Sequence, residues 1–215
     1  MLTNIFKVLL IASVFFSSSL YADNTWQQNK NEDDIRVFTK DVQGTALKAF
    51  RGVVTIPARL SSIVAVIDDT SVYVKLFHNA KYAKDLMRVS ESEAYKYMIT
   101  ALPWPAVNRD SIIHSNLKQN QKSRVVQITM KSMPNYIPSK TGLVRIQKMT
   151  GRWLLVPEGN NVKVFYEMNI DPSGSLPTWL VNAMSIDLPF ITLKNLREIV
   201  KQDKYRNVKN SYIID

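Results

Sequence analysis

The chain contains no cysteine. That excludes disulfides, thiolate metal sites, a cysteine nucleophile and a lipid-modified cysteine anchor, so stability has to come from packing. Glycine is scarce, at six residues, and forms no phosphate-cradling loop. Histidine is scarcer: His78 and His114 are the whole supply, and neither sits in a Gly-x-Ser-x-Gly or His-Glu-x-x-His context. No apolar run beyond residue 22 is long enough to span a bilayer, and there is neither an internal repeat nor a low-complexity segment. The one adjacent acidic pair that could suggest a metal, Asp68-Asp69, closes an apolar helix pattern and reads as a solvated turn. The expectation is a protein without metal or cofactor and without an evident catalytic residue.

What is present starts with a targeting segment. Lys7 precedes the apolar run Val8 to Phe16, and Ser17 to Ala22 resembles a cleavage region, so residues 1–22 read as a signal peptide and residues 23–215 as one exported domain, periplasmic or secreted. An uncleaved anchor is the alternative, although about 16 apolar and small residues are short for a span. Roughly 190 residues then remain, enough for one domain with a sizeable core. The net charge of +10 falls by one when Lys7 leaves. Export makes an anionic membrane surface, rather than nucleic acid, the partner that such a charge implies; a solvated basic surface is the plain alternative. A monomer is expected.

Along the chain, Asp23 to Asp34 is polar around a lone Trp26 and reads as a short helix whose indole docks on the domain. Ile35 to Thr39 and Ala46 to Ile56 alternate as a hairpin around Gln43-Gly44. Leu60, Ile63, Val64 and Ile67 fall at helical spacing, and Val72 to Asn79 is a second short helix or a turn. Strand patterns follow at Tyr82 to Val89, Ala94 to Leu102, Arg109 to Leu117, Arg124 to Lys131, Leu143 to Lys148, Trp153 to Val156 and Val162 to Ile170, with turns at Thr150-Gly151 and Glu158 to Asn161. Pro103-Trp104-Pro105 cannot lie inside a central strand and must be an edge or crossing segment.

The C-terminal pattern organises the rest. Asp171-Pro172-Ser173-Gly174 is a turn, Ser175 is the expected N-cap, and Pro177 falls in the first turn. Leu176, Trp179, Leu180, Ala183 and Met184 form one apolar face, whereas Leu193, Leu196, Ile199 and Val200 point nearly opposite on a straight helix. A bend near Pro189 would turn both toward one core, making the helix either a plain cover or a hinged lid over a cavity. The element order gives an α+β fold, with a curved antiparallel sheet wrapped around a long C-terminal helix.

Three stretches together resemble a known family. Pro103-Trp104-Pro105-Ala106-Val107-Asn108-Arg109-Asp110, then Val144-Arg145 with Gly151-Arg152-Trp153, then Asp171 to Asn182, are similar in order and spacing to the START (StAR-related lipid-transfer) domain, and the mid-helix proline is similar to phosphatidylcholine-transfer-like members. The resemblance implies a helix-grip fold around an apolar tunnel for a single lipid or sterol-like molecule. It departs from many members at Tyr73 to His78, where they carry a tryptophan-containing segment.

Under that resemblance the ligand-binding candidates are Trp104, Asn108, Arg109, Arg145, Trp153, Tyr166, Trp179, Asn182, Met184 and Phe190. Arg109 is either a headgroup donor or half of a structural ion pair, and Arg145 is open in the same way. The aromatic and apolar candidates are tunnel wall or plain core. Lipid binding and possibly transfer is the leading reading, against a helix-grip enzyme acting on a hydrophobic substrate and an envelope scaffold with a vestigial cavity.

Overall fold

A computed structural model describes residues 25–43 and 47–215. The expected signal peptide, and Gly44 of the first hairpin, lie outside the described residues. Ten strands form one sheet: β1 Gln27–Glu32, β2 Ile35–Lys40, β3 Ala49–Ile56, β4 Ala80–Ser90, β5 Glu93–Thr100, β6 Arg109–Gln119, β7 Val126–Ser132, β8 Val144–Arg145, β9 Lys148–Glu158 and β10 Asn161–Asp171. The order is β1-β2-β3-β10-β9-β7-β6-β5-β4, antiparallel throughout, with the two-residue β8 parallel to the start of β6. Among the described residues there are also four α-helices, α1 Leu60–Asp68, α2 Tyr73–Leu76, α3 Thr178–Ile199 and α4 Asp203–Arg206, and a 3-10 turn at Thr70–Val72.

Alternation decides which face is inside. In β10, Val162, Val164, Tyr166 and Met168 are buried toward the helices, while Glu167 between them faces outward between Arg51 of β3 and Arg152 of β9. α3 lies across the inner face with its second half on β2 and β3. Gly52 allows that approach, because a Cβ there would stand 2.6 Å from Leu193 Cδ1 and 3.1 Å from Pro189 Cβ. Lys194 Nζ pairs with Asp33 Oδ2 at 2.8 Å, and Arg197 donates to the Asp33 carbonyl at 2.6 Å, fastening the same half to the β1–β2 turn.

Three expectations are corrected. The helix expected in Asp23 to Asp34 is strand β1: its polar residues find their backbone partners on β2, and Trp26 docks by stacking under Arg51 at 4.3 Å. The N-cap of α3 is Pro177, not Ser175. Most consequential, α3 runs uninterrupted through Pro189, without the break expected there. The buried stripe is Val181, Ser185, Pro189, Thr192, Leu196 and Ile199, which stays on one side of a continuous helix. Ser185 satisfies its hydroxyl by donating to the Val181 carbonyl at 3.0 Å, so a polar residue can take an apolar position.

Candidate functional site

Between the sheet and the first half of α3 lies a cavity of about 80 Å³. Its wall includes Phe77, Thr100, Leu102, Ile146, Tyr166, Leu188 and Thr192, and five methionines: Met98 of β5, Met130 of β7, Met149 of β9, Met168 of β10 and Met184 of α3. Five of the chain's eight methionines therefore converge on one space from five elements. An unbranched thioether fills an irregular gap and repacks at little cost, so this wall can yield to a guest. A second void of about 40 Å³ lies beyond it, under α1 and α2. Phe77, Ile113 and Met130 border both spaces, so side chains alone divide them.

Arg109 stands at the wall of the larger cavity and is 5% exposed. Nε donates to the Pro172 carbonyl at 3.0 Å, one terminal nitrogen to the Ser173 carbonyl at 2.8 Å, and the other to the Val107 carbonyl. No carboxylate among the described residues pairs with it. Burial pulls its pKa down from the ordinary arginine value, yet a guanidinium retains its charge across the physiological range. Three of its five N–H donors are committed, which leaves two. The side chain thus binds the β5–β6 loop to the turn leading into α3, and holds an uncompensated positive charge beside an apolar space.

Of the two arginines left open between headgroup donor and structural ion pair, Arg145 is the one in an ion pair, and its partner is Asp110. Arg145 Nε and Nη2 reach the two oxygens of Asp110 at 2.8 and 2.9 Å, and its other donors go to the carbonyls of Pro134, Ile137 and Pro138. Tyr97 donates to Asp110 at 3.0 Å; burial and that carboxylate push the phenol up to about 12. β8 exists to make this contact, since pairing with β6 sets Arg145 directly beside Asp110.

The other candidates separate clearly. Tyr166 and Met184 line the larger cavity with Arg109, while Trp153 lines the second void, stacked on Tyr166 at 4.0 Å. Phe190 packs in the core with Lys30 Nζ 4.0 Å above its ring. Asn108 accepts from the Leu102 N–H at 3.0 Å and shapes the loop. Trp104 is 90% exposed, Trp179 is 59% exposed and Asn182 is also exposed, so these three stay outside the cavity. Sequence reasoning missed four of the five methionines and His78, which also lines the cavity. Burial lowers the His78 pKa, and no hydrogen bond reaches its ring among the described residues. The signal for the methionines was present as single residues on separate strands, visible as a group only once the register is known.

The family model of the START domain matches residues 11–204. The chain belongs to the START domain family. An uncharacterised protein of Pseudomonas aeruginosa is 34% identical over 195 residues, which span 90% of this chain and 96% of that protein. The crystal structure of a STAR-related lipid transfer protein fragment from Xanthomonas axonopodis superimposes with a TM-score of 0.76 at 32% identity, covering 82% of this chain and 99% of that one. The phosphatidylcholine transfer protein of Bos taurus is 25% identical over 166 residues, 73% of this chain and 75% of that protein. No helix among the described residues of this START chain is long and apolar enough to cross a membrane.

Proposed function

We propose that this START domain binds one lipid or sterol-like molecule in the space under α3, and exchanges it at an anionic membrane surface after export. The observation that carries the reading is Arg109, buried without a carboxylate partner in the wall of an apolar cavity. Leu102 and Pro172 line the same cavity; Trp104 follows Leu102 by two residues, Trp179 is the second residue of α3, and both indoles are exposed. Arg109 ties the β5–β6 loop that carries Trp104 to the turn that leads to Trp179. Indoles favour the headgroup level of a bilayer, and a guanidinium with donors to spare favours a headgroup oxygen.

At about 80 Å³ the cavity is far below the roughly 300–1,000 Å³ of ligand pockets, so a guest has to displace methionine side chains and the first half of α3. The second half, held on Gly52 and Asp33, stays in place. The named lipid-transfer relatives support this reading in general terms; the ligand's identity rests on the cavity.

The test is transfer between vesicles. Protein incubated with donor vesicles of phosphatidylcholine and phosphatidylglycerol carrying a fluorescent lipid should deliver it to acceptors, and the double variant Trp104→Ala/Trp179→Ala should slow delivery at least tenfold with unchanged melting. Equal delivery by the variant would remove the two indoles from the docking surface, and no delivery by the unaltered protein would reject transfer.

A further inference from the structure

Trp153 holds the least satisfied polar atom in the core. It is 0% exposed, stacked on Tyr166 at an interplanar angle of 11° and tilted against Phe77 at 6.4 Å, and its Nε1 has no hydrogen-bond partner. Buried indole N–H groups ordinarily find an acceptor, and an unsatisfied one destabilises the state that contains it. The indole borders the second void, where the other buried donors are committed. Lys96 Nζ donates to Asp68 O, Asp68 Oδ1 and Asp85 Oδ1 at 2.5, 3.0 and 3.2 Å. The Tyr73 hydroxyl donates to the Ile67 carbonyl at 2.8 Å, and the Ser115 hydroxyl to the Ala94 carbonyl at 3.2 Å. Among the described residues of this wall, Trp153 carries the fully buried donor that has no partner.

We infer that Trp153 is a specificity-determining residue that receives a neutral oxygen acceptor, a hydroxyl, ketone or ester carbonyl, on the end of the ligand that enters first. The inference rests on the lipid-binding reading and names the chemistry of its buried end. The two spaces are neighbours, because Phe77, Ile113 and Met130 line both, and a guest that displaces Phe77 or Met130 could reach from one into the other. The acceptor is neutral for two reasons. Val64, Ile67, Leu117 and Ile128 make much of the surroundings apolar, and the carboxylates of Asp68, Glu91 and Glu93 outnumber Lys96, whose ammonium is already taken by Asp68 and Asp85. A ligand so held has its polar head at Arg109 and a lone oxygen at Trp153.

Two probes of matched length decide it: oleyl alcohol and 9-octadecene, each delivered on cyclodextrin to the full mature chain. The four tryptophans give four indole N–H cross-peaks in a ¹⁵N–¹H spectrum. Oleyl alcohol should move the Trp153 peak downfield and 9-octadecene should not, and Trp153→Phe should lose about five- to tenfold in affinity for the alcohol alone. If Trp153→Phe fails to fold, Trp26→Phe, Trp104→Phe and Trp179→Phe assign the peak by elimination, and its shift decides. Binding of both probes with a stationary Trp153 peak, as a buried water on the indole would give, overturns the inference and leaves lipid binding intact, as does an equal loss for both probes. Binding of neither probe, nor of any vesicle lipid, rejects the lipid-binding reading itself.

Discussion

At the scale of single residues, the two arginines of the site differ in what they neutralise. Arg145 compensates a buried carboxylate, and Arg109 compensates three carbonyl oxygens that carry only partial charge. Arg145→Met strands Asp110 in the core and should lower stability by about 3–5 kcal/mol. Arg109→Met leaves no buried ion behind, and should cost about 1–3 kcal/mol while weakening binding of a lipid headgroup. Urea denaturation of the two variants, with lipid titration of Arg109→Met, checks the ranking; a larger loss at Arg109 would contradict it. Sequence adjacency misleads here. Arg109 and Asp110 are neighbours, yet the carboxylate's partner is 35 residues away and is brought in by a two-residue strand that no periodicity reveals.

At the scale of elements, α1 is held by carboxylates at both ends. Asp215 accepts from the Ser61 N–H at 2.8 Å and pairs with Arg59 at the N-terminus, where Arg59 supplies no side-chain cap of its own. Asp69 at the other end accepts from Ser71 and from the Tyr205 hydroxyl at 2.8 Å, and pairs with Lys204, fastening α4. Partial burial raises both carboxyl pKa values, but these hydrogen bonds outweigh it and leave each below its ordinary value. A lowered folded pKa contributes stability that is present above the unfolded value near 4 and is lost as pH falls toward the folded one. The urea midpoint should therefore drop steadily below about pH 4, and Asp69→Asn should flatten that slope; an unchanged slope would contradict the assignment.

Gly52→Ala tests the packing of α3. The added carbon meets Leu193, itself fully buried, and Pro189, so the helix must move and stability should fall by about 1–3 kcal/mol on calorimetric melting. A neutral result would mean that the second half of α3 is free to shift. Strand β10 and the end of β9 were legible because Glu158-Gly159-Asn160-Asn161 separates two alternating runs, whereas the turn expected at Thr150-Gly151 lies inside β9 and pairs with β10. Strand β1 was not, since Gln27 to Glu32 has no apolar alternation and owes its form to pairing with β2. The apparent opposition of two apolar faces in α3 followed from apolar residues alone, whereas the buried face includes Ser185 and Thr192 and leaves Trp179 exposed.

At the scale of the whole molecule, the START fold was readable from three short motifs in order, whereas the cavity was not, because its methionines are scattered over four strands and a helix. The basic excess acts through a screened field, so association with vesicles containing phosphatidylglycerol should weaken as salt rises from about 0.05 to 0.5 M, and association with phosphatidylcholine alone should be weaker at low salt. Sedimentation with the vesicles measures both; equal binding to the two compositions would contradict a role for charge in docking. The central claim is that the space under α3 admits one apolar guest. Native mass spectrometry of the chain, purified from its own cells or mixed with vesicles, tests it most directly: the account predicts a single lipid-sized adduct per chain, lost in a variant that fills the cavity such as Thr192→Phe. A bare chain under every lipid supplied would contradict it.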